Sequence, residues 1–105
     1  MTSAICLINR DNTGLHSLKY SEGTWETGNW HVSETRALSL IGKRIYLHDA
    51  QDKPSRFGGT ILGFRTAPPD HAAAGRVIFT FKADEQGRDF HAGRDGWSQE
   101  QKIIE

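Results

Sequence analysis

The stretch "RVIFTFK" (76–82) constrains this chain more than any other. Val77, Phe79 and Phe81 fall on one side of an extended backbone, and Arg76, Thr80 and Lys82 fall on the other together with Ile78. A period of two does not suit a helix, so this segment is committed to a half-buried strand. An isolated strand or hairpin is barely stable, so the rest of the chain must supply partners for it. "AICLI" (4–8) reads as a short buried strand. "KRIYLH" (43–48) reads as another, with Ile45 and Leu47 toward the core and Arg44, Tyr46 and His48 turned away. "TILGFR" (60–65) is a third, where Gly63 marks a bulge or a close backbone approach. "WSQEQKIIE" (97–105) reads as a short strand or a helical turn. Turn chemistry separates these runs at 9–14, 49–59, 66–75 and 83–96. Residues 15–32 alternate too weakly for a long strand.

Only "SETRALSLIG" (33–42) has helical spacing. Ser33 is a good N-cap, Glu34 suits the positive end of the helix dipole, and Gly42 is placed as the residue that stops the helix. Ala37, Leu38, Leu40 and Ile41 are expected on one face. A helix over 33–41 is too short to persist on propensity and must be held by packing. The expected fold is therefore α+β and mainly β: a small curved sheet or partly open β-barrel of about five strands with one short helix.

Length and composition fit that picture. The 105 residues suit a single domain, 1–105, that buries one core without metal or disulfide staples. With 36% hydrophobic and 25% charged residues the chain is globular rather than disordered. No apolar run approaches the ~20 residues of a membrane span, and "MTSAICLINRDN" lacks the features of a secretory signal. One cysteine cannot form an internal disulfide, which fits a cytoplasmic setting. A formal net charge of zero argues against a general nucleic-acid binder. Lys43, Arg44, Lys53, Arg56 and Arg65 nevertheless make the middle of the chain locally basic, diluted by Asp49, Asp52 and Asp70.

The order of elements from residue 30 to 82 resembles the PUA-like superfamily, including EVE-type and ASCH-type domains. A short helix ends at "LIGKRIYLH", the loop "DKPSRFGG" follows, and the strand "TILGFR" comes next. The resemblance lies in this pattern and not in a diagnostic motif. It implies a small β-barrel that binds RNA, modified DNA bases or nucleotide-like ligands; some ASCH-type members are hydrolases. No catalytic set carries over residue by residue, and fold analogy alone does not fix function.

Several residues are candidates for a ligand site. Trp25 and Trp30 lie five positions apart in "GTWETGNWH", so a regular strand would send their rings to opposite faces. They share a site only if Gly28 and Asn29 turn the chain; otherwise they are core anchors. In that division Trp30, near the helix cap, packs on the core and Trp25 stacks on a base, a contact worth ~1–3 kcal/mol. "KPSRFGG" is either a plain turn or an anion-binding loop whose backbone N–H groups converge, with Ser55 and Arg56 as added donors. His31 and His48 lie at element ends and are candidate polar contacts beside the tryptophans.

No metal-ligand spacing joins the five histidines, and no cofactor motif is present. Cys6 sits in an apolar strand and reads as packing. Glu22, Glu26, Asp84, Glu85 and Asp89 read as solvated surface, and no catalytic residue is assigned. The leading expectation is a binding module that reads a nucleotide or a nucleic-acid base, including a modified base, through an aromatic pocket. The alternatives are a small hydrolase acting on a nucleoside-like substrate, and a protein–protein adaptor or homodimer with no ligand pocket.

Overall fold

The structure is a computed structural model and describes residues 3–9, 16–17, 23–27, 30–66, 76–93, 95–97 and 101–104, with only the backbone of 16–17. The turn expected within 10–14, the Gly28–Asn29 turn and the 67–75 connection lie outside these residues. Among the described residues the strands are β1 (Ala4–Ile8), β2 (His16–Ser17), β3 (Thr24–Glu26), β4 (Arg44–His48), β5 (Ser55–Thr66), β6 (Val77–Ala83) and β7 (Gln101–Ile104). One helix, α1 (Glu34–Leu40), follows β3. The strands form one open sheet in the order β2-β3-β6-β5-β4-β1-β7. β1 runs parallel to β4, and the other pairings are antiparallel. The domain is α+β and mainly β.

The four strands expected from apolar patterning are all present. β5 differs most from expectation, because it begins at Ser55 and takes "SRFGG" into the sheet. The anion-binding loop expected there is not formed: Phe57, Gly58 and Gly59 pair with Leu47, Tyr46 and Ile45 of β4. Their glycines serve close approach. A Cβ on Gly59 would collide with the Lys82 carbonyl, and one on Gly58 with the Ile45 carbonyl. The register of β5 slips twice. One bulge at Leu47/His48 leaves Arg56 as the extra residue, and one between Ile61 and Gly63 leaves Leu62 as the extra residue.

Period-two alternation divides the core between the two faces of the sheet. Ile5, Leu7, Ile45, Leu47, Ile61, Val77, Phe79 and Phe81 pack with Ala37 and Leu40 of α1 on one face. Ala4, Cys6 and Tyr46 form a second cluster on the other, covered by Phe90, Ala92, Trp97 and Ile104. β1 and β4 are thus buried on both sides, which is why "AICLI" reads as a continuous apolar run. The side of β4 that looked outward in sequence is the floor of the second cluster.

Helix α1 starts and stops where its caps predict. Ser33 Oγ accepts from Arg36 N–H at 3.1 Å, and Gly42 adopts φ +83° just past the end. Its buried stripe is narrower than the sequence suggests. Only Ala37 and Leu40 are covered, while Leu38 and Ile41 stay 62% and 42% exposed. A helix this short offers one turn's worth of contact to the sheet, and residues 37 and 40 fill it.

Candidate functional site

Trp25 and Trp30 lie on the same face of the sheet. Trp25 stands opposite Phe81, and Trp30 bridges to Val77, with paired N–H···O bonds of 2.8 and 2.9 Å. Between them Thr27 N–H donates to the Phe79 carbonyl at 2.9 Å. The pairing register advances by one residue between Thr27 and Trp30, which resets the strand phase. An odd spacing in sequence therefore becomes an even one in the sheet. This corrects the expectation that the rings diverge.

The two tryptophans still do not form one cage. Their partners on β6 are four residues apart, a span of about 13 Å, which is too long to sandwich a single base. Both rings are partly buried against the main core cluster. Trp25 meets Phe57 edge to face at 5.3 Å, and Phe57 in turn meets Phe81 at 5.7 Å. His31 is exposed near them in sequence, and its carbonyl accepts from the Gln101 side chain at 3.2 Å.

His48 and Ser55 are brought together, but elsewhere. They oppose each other at the end of the β4–β5 pair, on the side of the second cluster. The sheet separates them from the tryptophans. A single pocket holding Trp25, Trp30, His31, His48, Ser55 and Arg56 is not what this fold builds.

Ser55 is 2% exposed and fully engaged. Its Oγ donates to the Gly87 carbonyl at 2.7 Å and accepts from Phe90 N–H at 3.0 Å. Its backbone N–H donates to the Phe90 carbonyl at 2.9 Å, and its carbonyl accepts from Asp89 N–H at 2.6 Å. Asp89 adopts φ +60° in this turn. Ser55 is thus the post to which residues 87–90 are tied, and its hydroxyl is taken up by backbone groups. Phe90 then stacks on Tyr46 at 4.0 Å with planes 6° apart. Arg56 pairs with Asp49 at 2.6 Å and also reaches the Asn9 carbonyl, so it closes the β4–β5 corner.

His48 is fully buried. Its Nδ1 lies 2.9 Å from the Lys53 carbonyl, which requires the proton on Nδ1. Nε2 then carries a lone pair and has no hydrogen-bond partner among the described residues. The Trp97 and His48 rings meet nearly at right angles, with centroids 5.6 Å apart. Burial holds the imidazole below its ordinary titration range, and His91 adds repulsion, partly offset by the Lys53 carbonyl and Asp49.

A surface pocket of about 210 Å³ is lined by Gln51, Asp52, Lys53, His91, Ala92 and Gly93. The His48–Trp97 pair anchors both of the chain segments that line it. His48 bonds the Lys53 carbonyl on one side, and Trp97 Nε1–H donates to the Gly93 carbonyl at 2.8 Å on the other. Lys102 of β7 adds a bond to the Ala92 carbonyl. Sequence reading singled out His48 but not His91, Lys53 or Trp97 as parts of one site. Nothing local marks them, because their convergence depends on Ser55 tying 87–90 back to the sheet.

Cys6, Asp84 and Glu26 are otherwise occupied. Cys6 is buried, which pushes its thiol up to about 12, and it packs as an apolar residue. Asp84 forms a bidentate pair with Arg44, 2.7 Å at each contact, which holds its carboxyl below the usual range. Glu26 makes a similar pair with Arg65 at 2.9 and 3.0 Å. Among the described residues no group of three or more His, Cys, Asp or Glu is placed to hold a metal ion. No helix among them is long and apolar enough to cross a membrane.

The fold and this pocket define a small, mainly β domain with a polar surface site at one end of an open sheet. No protein-family model, curated protein or solved structure matches the chain.

Proposed function

We propose that this chain is a small binding module, and that the pocket between residues 51–53 and 91–93 takes a nucleotide-like ligand, free or within a nucleic acid. The observation that carries the reading is the pocket lining. Lys53 supplies a positive charge, His91 a polar ring, and Gln51 and Asp52 groups of both hydrogen-bonding kinds. Its volume of about 210 Å³ is below the ~300 Å³ where pockets for whole drug-sized molecules begin, so it suits a phosphate or a single base.

The PUA-like resemblance belongs to the same proposal. Its support is the order α1, Gly42, β4, a loop at 49–54 and then β5. In this reading a modified base is one form of the ligand, and the protein works in the cytoplasm as a single domain. The half-buried Trp25–Phe57 pair on the opposite face is a separate aromatic surface, available to a longer nucleic acid but not to the ligand in the pocket.

The test is an NMR titration of the protein with nucleoside monophosphates and short oligonucleotides, modified and unmodified, at low and moderate salt. Lys53→Ala and His91→Ala should each weaken binding, and Trp25→Ala should leave monophosphate binding unchanged. Shifts confined to residues outside the pocket, or wild-type affinity in both pocket variants, would sink the reading.

A second reading, a small hydrolase acting on a nucleoside-like substrate, is favoured by one feature: His91, Asp52 and Lys53 line the same pocket. Turnover of nucleoside phosphates that His91→Ala abolishes, where the binding reading expects none, would select it.

A further inference from the structure

The His48–Trp97 pair joins the two segments that line the pocket. Its geometry has three parts. His48 Nδ1–H bonds the carbonyl of Lys53, a wall residue. The Trp97 indole N–H bonds the carbonyl of Gly93, a residue of the facing wall. The two rings meet edge to face at 5.6 Å. The Nε2 atom of His48 is buried with no hydrogen-bond partner among the described residues.

We infer that His48 and Trp97 form a proton-operated clasp: uptake of a proton at Nε2 parts the two rings and loosens both walls of the pocket. It rests on the pocket reading above only for the consequence that a ligand held there is released as the pH falls. A protonated Nε2 becomes a donor that must find an acceptor or water, and none of the described residues offers one at its buried position. Moving the ring toward solvent solves this, and the ring carries the Lys53 wall with it.

The groups around His48 set the direction. His91, from the segment that carries the far wall, repels the charged form. Asp49, beside His48 in the chain, favours it, but Asp49 is engaged by Arg56 of β5. Lys53 contributes its carbonyl, and Lys102 of β7 points its ammonium to the Ala92 carbonyl of the far wall. β1 contributes only Cys6, a buried neutral thiol. The imidazole's folded-state pKa is lowered from 6.5, so neutral His48 is fully stabilised above that value and the clasp opens as the pH falls below it.

The experiment uses the full chain without ligand, so that it stands or falls apart from the ligand assignment. The side-chain indole N–H signals of Trp25, Trp30 and Trp97 and the imidazole signals of His48 are followed by NMR from pH 8 to pH 5. The expected result is an Nδ1-protonated neutral His48 that titrates with a midpoint below 6.5. Only the Trp97 indole signal should move with it, while Trp25 and Trp30 stay fixed. His48→Asn keeps an N–H donor near the Nδ1 position and cannot titrate, so it should abolish the Trp97 transition. Should that variant fail to fold, His91→Gln serves in its place and should move the midpoint upward by removing the repulsion. An unchanged Trp97 signal while His48 titrates would overturn the inference. So would a transition that persists in His48→Asn, an unmoved midpoint in His91→Gln, or a joint loss of all three indole signals, which is global acid unfolding.

Discussion

Replacing Ser55 with alanine separates a structural hydroxyl from a chemical one. The Ser55 Oγ satisfies two backbone groups, the carbonyl of Gly87 at 2.7 Å and the N–H of Phe90 at 3.0 Å, at a position that is 2% exposed. Alanine leaves both without this partner and leaves too little room for water to replace it. Each stranded buried polar group costs about 1–3 kcal/mol, so the pair should cost about 2–6 kcal/mol. That is a large share of the ~5–15 kcal/mol available to a domain of this kind. In urea, with a mid-range slope of about 2 kcal/mol/M, the unfolding midpoint should fall by roughly 1–3 M. The assay is equilibrium unfolding followed by tryptophan fluorescence. Ser39→Ala serves as control, because Ser39 bonds only an exposed carbonyl of its own helix, at 2.6 Å. The loss should be the same at pH 6 and pH 8, since neither bond involves an ionisable group. A Ser55→Ala unfolding free energy within about 0.5 kcal/mol of wild type would refute the claim that this hydroxyl holds residues 87–90 on the sheet.

Other consequences follow from the same contacts. Gly59→Ala should prevent stable folding or cost well over 3 kcal/mol, because its Cβ would meet the backbone of Lys82, and circular dichroism with thermal melts would show it. Gly42→Ala, by contrast, meets open space and suffers only its positive φ of +83°, so a loss of about 1 kcal/mol is expected in the same melts. Cys6 should resist a thiol reagent at pH 8 in the folded protein and react fully in denaturant, since burial lifts its thiol to about 12. Asp84→Asn should cost at most about 1 kcal/mol at pH 7, because the Arg44–Asp84 pair is partly exposed. That contribution is complete above the ordinary carboxyl pKa of 3.8 and fades as the pH falls below it, which urea unfolding at pH 7 and pH 3 would reveal.

Much of the fold was legible because it depends on short-range periodicity. The alternation in "RVIFTFK" placed β6, and the continuous run "AICLI" placed β1 within the residues it occupies. β7 fell in a segment with no clear period, and β2 and β3 are two and three residues long, too short for a period to register. The candidate site was less legible. His48 and Ser55 were picked out for their place at element ends, but their roles come from partners far along the chain. Gly87 and Phe90 are what make Ser55 a tether, and Trp97 and His91 are what make His48 part of a pocket.

The tryptophans mark the boundary between the two kinds of information. Sequence by itself determined that Trp25 and Trp30 lie five positions apart ahead of a capped helix, and it determined the limits of that helix through Ser33 and Gly42. Caps and strand periods act over a few residues, so a local pattern specifies them. Only the tertiary structure decided which way the two rings point. One extra residue in the pairing with β6 brings both to the same face, and a register shift leaves no mark in local composition because its energy lies in contacts with a distant strand. The same reason explains the pocket, whose walls meet because β5 and the 87–97 segment are joined through bonds that no short stretch of sequence can announce.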